Sequence, residues 1–598
     1  MISRVGILSI DYVEYELEEE LFFLLQEVKM VVNELLVVTA RALTKEERER
    51  ICEYANEVYE NIVGFDVNRW QFAIKKAVIQ NKEIVLFNDS FFGPLYPLKP
   101  IFDDMQAKEI DFWGLSSAVD FKHNGHKFLQ TYFMVFRRQA VQRLAFQKFW
   151  RKLPVIHNLN EYKRFVEYRM TYDFEKAGMK WCTYLETKEP DRKEKLNYMD
   201  SVLLSPGRMI EEKNFPIISK HSFIARRELV LNYNNGSEIK EAMDFIRRNT
   251  EYDEQLIYKY FIKRCNIYDL RMMFNQCFVL SDETYEIKKK RIAIYSHLFY
   301  EDLFEKAIKY LSVIPVEIDI YVSTDNEEKK EKLESLFYGN RKVKIVVVNP
   351  RGREWSAFLI VMKKYLSRYD YFCMLHDKKS SQMSFETVGI TYGNVLWDNL
   401  IWTAGYVRAV IHFFEEHPEM GMLVPPEAYH GIYFNTAINY WTICFGKTKE
   451  LVARLALDVS LEEEKPPISL GGAFWCRTDS IRKILNYNFK YEDFAEEPMP
   501  VDGTFSHALE RVLPYVVQDA GFYTGTIMNP EYAATDNTNK QYIIRSILRE
   551  IGNIEGISLG TFEETLNNLK SLREKGKIQR RLWRNEDFNQ NRDFLISG

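Results

Sequence analysis

The feature that most constrains this chain is an internal repeat. Val5-Gly-Ile-Leu-Ser9 opens one half and Ile292-Ala-Ile-Tyr-Ser296 opens another, each a short apolar run closed by serine. A helical pattern follows in both, then a second apolar run, Leu35–Thr39 and Ile318–Ser323. Asn61-x-x-Gly64-x-Asp66 matches Asn349-x-x-Gly352-x-Glu354 at a spacing of 288 residues. The run ending Asn88-Asp89-Ser90 matches the run ending His376-Asp377-Lys378 at the same 288. Glu167 stands 11 residues before Gly178 and Glu510 stands 11 before Gly521, now at a spacing of 343. The difference predicts an insertion of about 55 residues in the second half, between residues 390 and 466. One spacing kept over several points, with apolar runs in register, marks a duplication.

Each half reads as short β-branched runs separated by helical patterns, which indicates βαβ units, an α/β class and a mostly parallel sheet. Open sheets of this kind bind ligands at the carboxyl ends of their strands. Ser9, Asn88, Asp89, Ser296, His376 and Asp377 stand at such ends, where a nucleotide should lie. The expected organisation is a first domain over 1–210, a helical connector over 211–288, a second domain over 289–535 and a helical tail over 536–598. The tail carries seven basic residues and one acid, Glu574, between Lys570 and Arg584.

Composition excludes several alternatives. Lys+Arg is 81 against 86 Asp+Glu, a net charge of −5, so no nucleic-acid partner is expected. The aromatic share of 15% suits either sugar-stacking surfaces or large cores. The seven cysteines are scattered without a CxxC pair, which points to a reducing cytoplasm and to neither a zinc site nor a disulfide framework. The first twenty residues lack the apolar core of a signal peptide, and no apolar run is long enough to span a membrane.

Long ordered strings in both halves carry a resemblance. They include GFDVNRW (64–70), NDSFFGPLYPL (88–98) and DFWGLS (111–116), then RGREW (351–355), HDKKS (376–380), GGAFW (471–475) and DGTFSHALERVLPY (502–515). Over about residues 1–535 the chain resembles the rhamnan synthesis protein F family of bacterial glycosyltransferases. The resemblance implies two tandem GT-A-like domains that bind a nucleotide-diphosphate sugar. The implied donor is dTDP-L-rhamnose or a related deoxysugar. The implied acceptor is a lipid-linked cell-surface polysaccharide, met at the inner face of the plasma membrane by a cytoplasmic, peripherally attached enzyme. Two readings stand beside this one: a single catalytic half with a degenerate acceptor-binding partner, and a non-enzymatic nucleotide-sugar-binding scaffold.

Glycosyl transfer needs a neutralised diphosphate leaving group, a base for the acceptor hydroxyl and an anomeric carbon held in line. Asp89 and Asp377 follow buried strands, where such enzymes place a metal-binding carboxylate. Asp89 is the candidate ligand for Mg²⁺ or Mn²⁺, since one or two carboxylates plus substrate phosphates suffice for such ions. A helix-capping turn would read the same. In the second half His376, Lys378 and Lys379 are candidates to meet the diphosphate directly, and Lys220 stands where a late loop reaches back to it. Asp66 and Glu354 follow a glycine at a helix start, as ribose- or base-binding acids or as ordinary helix-start carboxylates. Glu510 and Glu167 are the candidate bases, with Asp502 as the runner-up. His507, Trp113 and Arg511 are expected on the acceptor side.

Overall fold

The computed structural model describes residues 2–574 apart from 12–15, 77–81, 121–125, 188–201, 289, 338–342, 380–385, 432, 437–440, 501, 555–556 and 558. The first half holds β1 (Arg4–Ile10), β2 (Glu34–Thr39), β3 (Glu57–Tyr59), β4 (Glu83–Asn88), β5 (Phe112–Gly114), β6 (Phe133–Phe136) and β7 (Trp181–Thr183). They form one sheet in the order β7-β5-β6-β4-β1-β2-β3. Every pairing is parallel except that β6 runs against β4 and β5.

The second sheet contains β8 (Cys277–Val279), β9 (Ile292–His297), β10 (Asp319–Thr324), β11 (Val343–Val347), β12 (Tyr371–His376), β13 (Met420–Val424), β14 (Phe474–Arg477) and β15 (Tyr523–Met528). Its order is β8-β15-β13-β14-β12-β9-β10-β11. Strand for strand this repeats the first sheet, with β14 as the single antiparallel member and β8 added at the edge. The extra length of the second half lies between β12 and β14, a stretch that includes helices Glu386–Leu400, Ala404–Glu416 and Phe445–Arg454.

Burial explains the strand sequences. β4 and β12 are buried along their whole length, as central strands covered on both faces must be, and both read as near-continuous apolar runs. Trp70, Trp150 and Phe174 cover one face of the first sheet, and Phe22, Leu25 and Phe102 the other. In the second sheet Trp355, Phe358 and Leu509 lie on one face. The other face shares a core with Tyr258 and Phe261 from residues 211–288 and with Phe92 of the first half.

Residues 211–288 carry two short strands as well as helices. Ile218–Ser219 pairs antiparallel with Phe91–Phe92, and β8 joins the second sheet, so this segment is stitched to both halves. The chain forms two compact units: one of residues 1–224 and 237–534, the other of 225–236 and 535–598. In the smaller unit Glu563, on helix Phe562–Glu574, accepts from Arg226 at 2.6 Å and Asn232 at 2.7 Å. The basic tail beyond Glu574 lies outside the described residues. No helix of the described residues is long and apolar enough to cross a membrane.

Candidate active site

At the carboxyl end of β12, His376 is buried between two backbone carbonyls. Its Nδ1 lies 2.9 Å from the Asp377 oxygen, and its Nε2 donates to the Gly471 oxygen at 2.6 Å. Asp377 turns back to β9: its Oδ2 accepts the N–H groups of Phe299 at 2.7 Å and Tyr300 at 2.6 Å. Burial pushes this carboxyl up to about 6, with the two N–H donors and His376 opposing and Glu354 adding to the rise. Asp377 therefore anchors the loop after β9 rather than facing a diphosphate.

Lys378 is the cation that faces the site. Its Nζ sits 4.5 Å from the Tyr392 ring centre, and that ring lies 4.4 Å from Tyr433. Burial works against the charged amine. Tyr392, Glu510, Tyr433 and Glu354 together outweigh burial and hold its affinity for the proton above the ordinary lysine range. Glu354 follows Gly352, whose φ of +82° and close approach to Phe494 only glycine accommodates. Burial would raise Glu354. His376, its own backbone N–H, His297 and Lys378 instead keep it below the usual carboxylate range. Lys379 is turned away, paired with Asp302 at 2.5 Å on the surface.

Helix Phe505–Asp519 brings Glu510 to the same point. Its Oε2 accepts the Gly471 N–H at 3.1 Å. Gly471 has φ +94°, and a Cβ there would stand 2.3 Å from the Tyr392 hydroxyl. Thus β12, the Gly471-Gly472 turn and helix Phe505–Asp519 together bring His376, Lys378, Glu354 and Glu510 into one interacting group.

The other second-half candidates are committed elsewhere. Asp502 accepts from Cys444 at 3.2 Å and pairs with Arg511 at 3.7 Å. Burial raises its carboxyl, but Thr442, Arg511, Gly503 and Cys444 outweigh it and hold the group low, which makes Asp502 a poor base. His507 closes a capping box, its Nδ1 2.7 Å from the Thr504 hydroxyl. Arg511 is buried and donates to the His507 carbonyl at 2.7 Å. The structure thus gives His507 and Arg511 the work of building the helix start.

In the first half the equivalent groups bond to one another. Ser9 Oγ donates to Asp66 Oδ1 at 2.8 Å, and Asn88 Nδ2 donates to Asp66 Oδ2 at 2.7 Å. Asp89 Oδ2 accepts the Asp11 N–H at 3.3 Å, the same loop-anchoring role as Asp377. Burial pushes Asp89 up to about 7, with Lys220 opposing and Asp66 and Asp11 adding. Lys220 is buried, 3.4 Å from Glu20 and 4.0 Å from the Tyr260 ring centre, and burial lowers its proton affinity. Glu167 ends a π-helical turn, Lys163–Glu167, of the kind often met at functional sites. Burial raises its carboxyl and Lys163 opposes. Trp113 is 2% exposed, its ring 5.2 Å from Phe102, so it is a core side chain with no surface to offer an acceptor.

Among the described residues, no three His, Cys, Asp or Glu side chains converge as a metal cage. Both Asp66 oxygens are bonded and Asp11 faces Arg69 at 2.7 Å, which leaves Asp89 as a lone carboxylate. This donor set does not fit a protein-built Mg²⁺ or Mn²⁺ site.

Sequence reasoning missed three residues that shape the two sites. Arg69, inside the GFDVNRW string, is central to the first half. Gly471 lay inside the GGAFW string, and its paired glycines were the available signal. Tyr392 sits in the inserted stretch, where the repeat offers no counterpart.

The family described as rhamnan synthesis protein F matches residues 35–522. A protein of Sinorhizobium fredii, the uncharacterized y4gN, is 26% identical over 27% of this chain and 43% of its own length. The uncharacterized WxcX of Xanthomonas campestris pv. campestris is 22% identical over 41% of this chain and 34% of its own. The chain thus spans less than half the length of these curated relatives. Among solved structures, the glycosyltransferase GlyE of Streptococcus pneumoniae TIGR4 aligns over 66% of this chain and 90% of its own at 9% identity, with a TM-score of 0.24. A putative nucleotide-diphospho-sugar transferase of Desulfovibrio desulfuricans G20 aligns over 33% and 91% at 12% identity, with a TM-score of 0.20. Scores at this level do not establish a common fold.

Proposed function

Because the chain belongs to the rhamnan synthesis protein F family, we propose that it is a nucleotide-sugar glycosyltransferase of polysaccharide synthesis. In this reading its halves are two GT-A-like domains, and the reaction centre lies at the strand ends of the second sheet. The observation that carries the reading is the meeting of one carboxylate with one half-buried cation: Glu510, oriented by the Gly471 N–H, and Lys378.

The chemistry follows from that pair. An acceptor hydroxyl attacks the anomeric carbon of the donor as the bond from that carbon to the diphosphate oxygen breaks. The hydroxyl proton passes to the Glu510 carboxylate, and the charge growing on the departing diphosphate is met by Lys378. Glu354, half-buried and kept ionised by its neighbours, accepts from a ribose hydroxyl or a base N–H. The family favours dTDP-L-rhamnose or a related deoxysugar as donor and a lipid-linked polysaccharide as acceptor.

Peripheral attachment to an anionic membrane suits such an acceptor. Helix Pro530–Gly552 leaves Tyr542 73%, Ile544 56% and Ile547 47% exposed on a segment that also holds Arg545 and Arg549. Basic residues beside apolar ones favour an anionic surface.

The test is turnover with a panel of nucleotide sugars and a lipid-linked acceptor, reading released nucleoside diphosphate. Release of dTDP from dTDP-L-rhamnose, dependent on the acceptor, is expected. No release above spontaneous hydrolysis with any donor would end the reading.

A further inference from the structure

We propose that the chain binds nucleotide diphosphate at one place only, in the second half, because Arg69 permanently fills the counterpart site in the first. This rests on the transferase reading and refines it. The repeat makes the comparison direct. Asp66 corresponds to Glu354, Asn88 to His376, Ser90 to Lys378, and Arg69 to Ala357, all at a spacing of 288.

In the first half the guanidinium of Arg69 is spent inside the site. Its Nε donates to Ser9 Oγ at 2.7 Å, its Nη1 to the Gly64 carbonyl at 2.7 Å, and its Nη2 to Asp11 at 2.7 Å and Asp66 at 3.0 Å. The side chain is fully buried. With Asn88 on the other oxygen of Asp66, the acid expected to read the ribose or base has both oxygens bonded by the protein itself. A ligand must break a buried, hydrogen-bonded charge pair to reach it, and nothing in the ligand replaces the arginine's lost partners.

In the second half the same geometry is open. Ala357 is buried and carries no charge. His297, which the spacing and the sheet register place opposite Ser9, is fully buried with its Nδ1 2.7 Å from Ser323 Oγ, so no arginine bridges it to the acid. Glu354 takes a hydrogen bond from its own backbone N–H, and the ammonium beside it is that of Lys378. Lys378 follows the end of β12 and is positioned to meet a diphosphate. Arg69 is instead turned inward on the protein's own acids. The substitution of one residue, arginine for alanine at a buried helix position, thus separates a site closed by an internal cation from one that awaits an anion.

Equilibrium titration of the full chain with dTDP and with UDP tests this. One site per chain is expected, weakened at least tenfold by Glu354→Gln and by Lys378→Ala. Both side chains are partly exposed, so circular dichroism and melting readily confirm that the variants fold. Two sites per chain would overturn the proposal, as would one site that neither substitution weakens, since it would then lie in the first half. Absence of binding by either nucleotide would instead remove the transferase reading itself and this proposal with it. The stoichiometry thus distinguishes the two failures.

Discussion

Glu510 and His376 hold the two backbone groups of one residue, Gly471. The Gly471 N–H donates to Glu510 at 3.1 Å, and the Gly471 carbonyl accepts from His376 at 2.6 Å. A residue on helix Phe505–Asp519 and a residue at the end of β12 are thereby held at a set distance by a turn that belongs to neither. The consequences of that link can be measured.

Gly471→Ala should break it. The new Cβ would meet the Tyr392 hydroxyl at 2.3 Å on a backbone with φ +94°. Strain of this kind costs on the order of 1–3 kcal/mol. Melting should fall accordingly, and turnover should fall further than the loss of folded protein explains, because Glu510 loses its orienting donor. Turnover per folded molecule equal to wild type would show the link to be unimportant.

Glu510→Gln keeps the hydrogen-bonding shape and removes the base. General-base loss lowers turnover by about 10² to 10⁴ with donor affinity unchanged. Asp502→Asn should do the reverse. Its partners Arg511 and Cys444 are structural, so stability should drop by roughly 1–3 kcal/mol while turnover per folded molecule holds. Nucleotide-release assays beside melting curves separate the two, and the opposite pattern would make Asp502 the base.

Lys378→Ala should weaken nucleotide-sugar binding about tenfold to a hundredfold, the value of a charge-assisted contact of roughly 1.5–3 kcal/mol. Calorimetry with and without EDTA should give the same affinity for the wild-type protein, because the second half answers the diphosphate with Lys378. An EDTA-sensitive affinity would place a divalent ion at the site.

The strand-end aspartates predict a pH dependence. Asp377 is pushed up to about 6 and Asp89 to about 7, both mainly by burial. Each carboxyl therefore holds its proton more tightly folded than unfolded. That contribution is full below the unfolded value, about 4, and is lost as pH rises through 6 to 7. The protein should melt at a higher temperature at pH 5 than at pH 8 as far as these groups are concerned, and Asp89→Asn should shrink the difference. An unchanged difference in that variant would show that Asp89 does not contribute.

A chain ending at Glu574 tests membrane attachment. It lacks Lys575, Lys577, Arg580, Arg581 and Arg584, which lie outside the described residues. Each is worth about 1 kcal/mol near an anionic leaflet. Flotation on anionic vesicles should fall by tenfold or more. Undiminished flotation would assign any attachment to the remaining chain.

The repeat was legible because a buried parallel strand must be apolar and its exit polar, and that pattern survives in the linear order of Val5–Ser9 and Ile292–Ser296. Glu510 was singled out by its distance from Gly521, a spacing set by the length of a helix. The helix-building bonds of His507 and Arg511 were not legible, because a capping residue and a sugar-binding residue are drawn from the same polar types, and only their partners tell them apart. Trp113 was misjudged, since an aromatic ring serves a core as well as a sugar.

What the sequence determined by itself was the local periodicity: two mixed α/β halves, the strand ends and the polar residues set there. The tertiary structure alone decided which of those residues are spent. Arg69 lies five residues beyond Gly64 in sequence, but Ser9, Asp11 and Asp66 become its partners only when β1 is laid beside the helix that carries it. Gly471 joins His376 to Glu510 across 95 and 39 residues. Hydrogen bonds and ion pairs act over a few ångströms, so whether a charge is satisfied or open to a ligand is a property of its neighbours in space, which linear order does not contain.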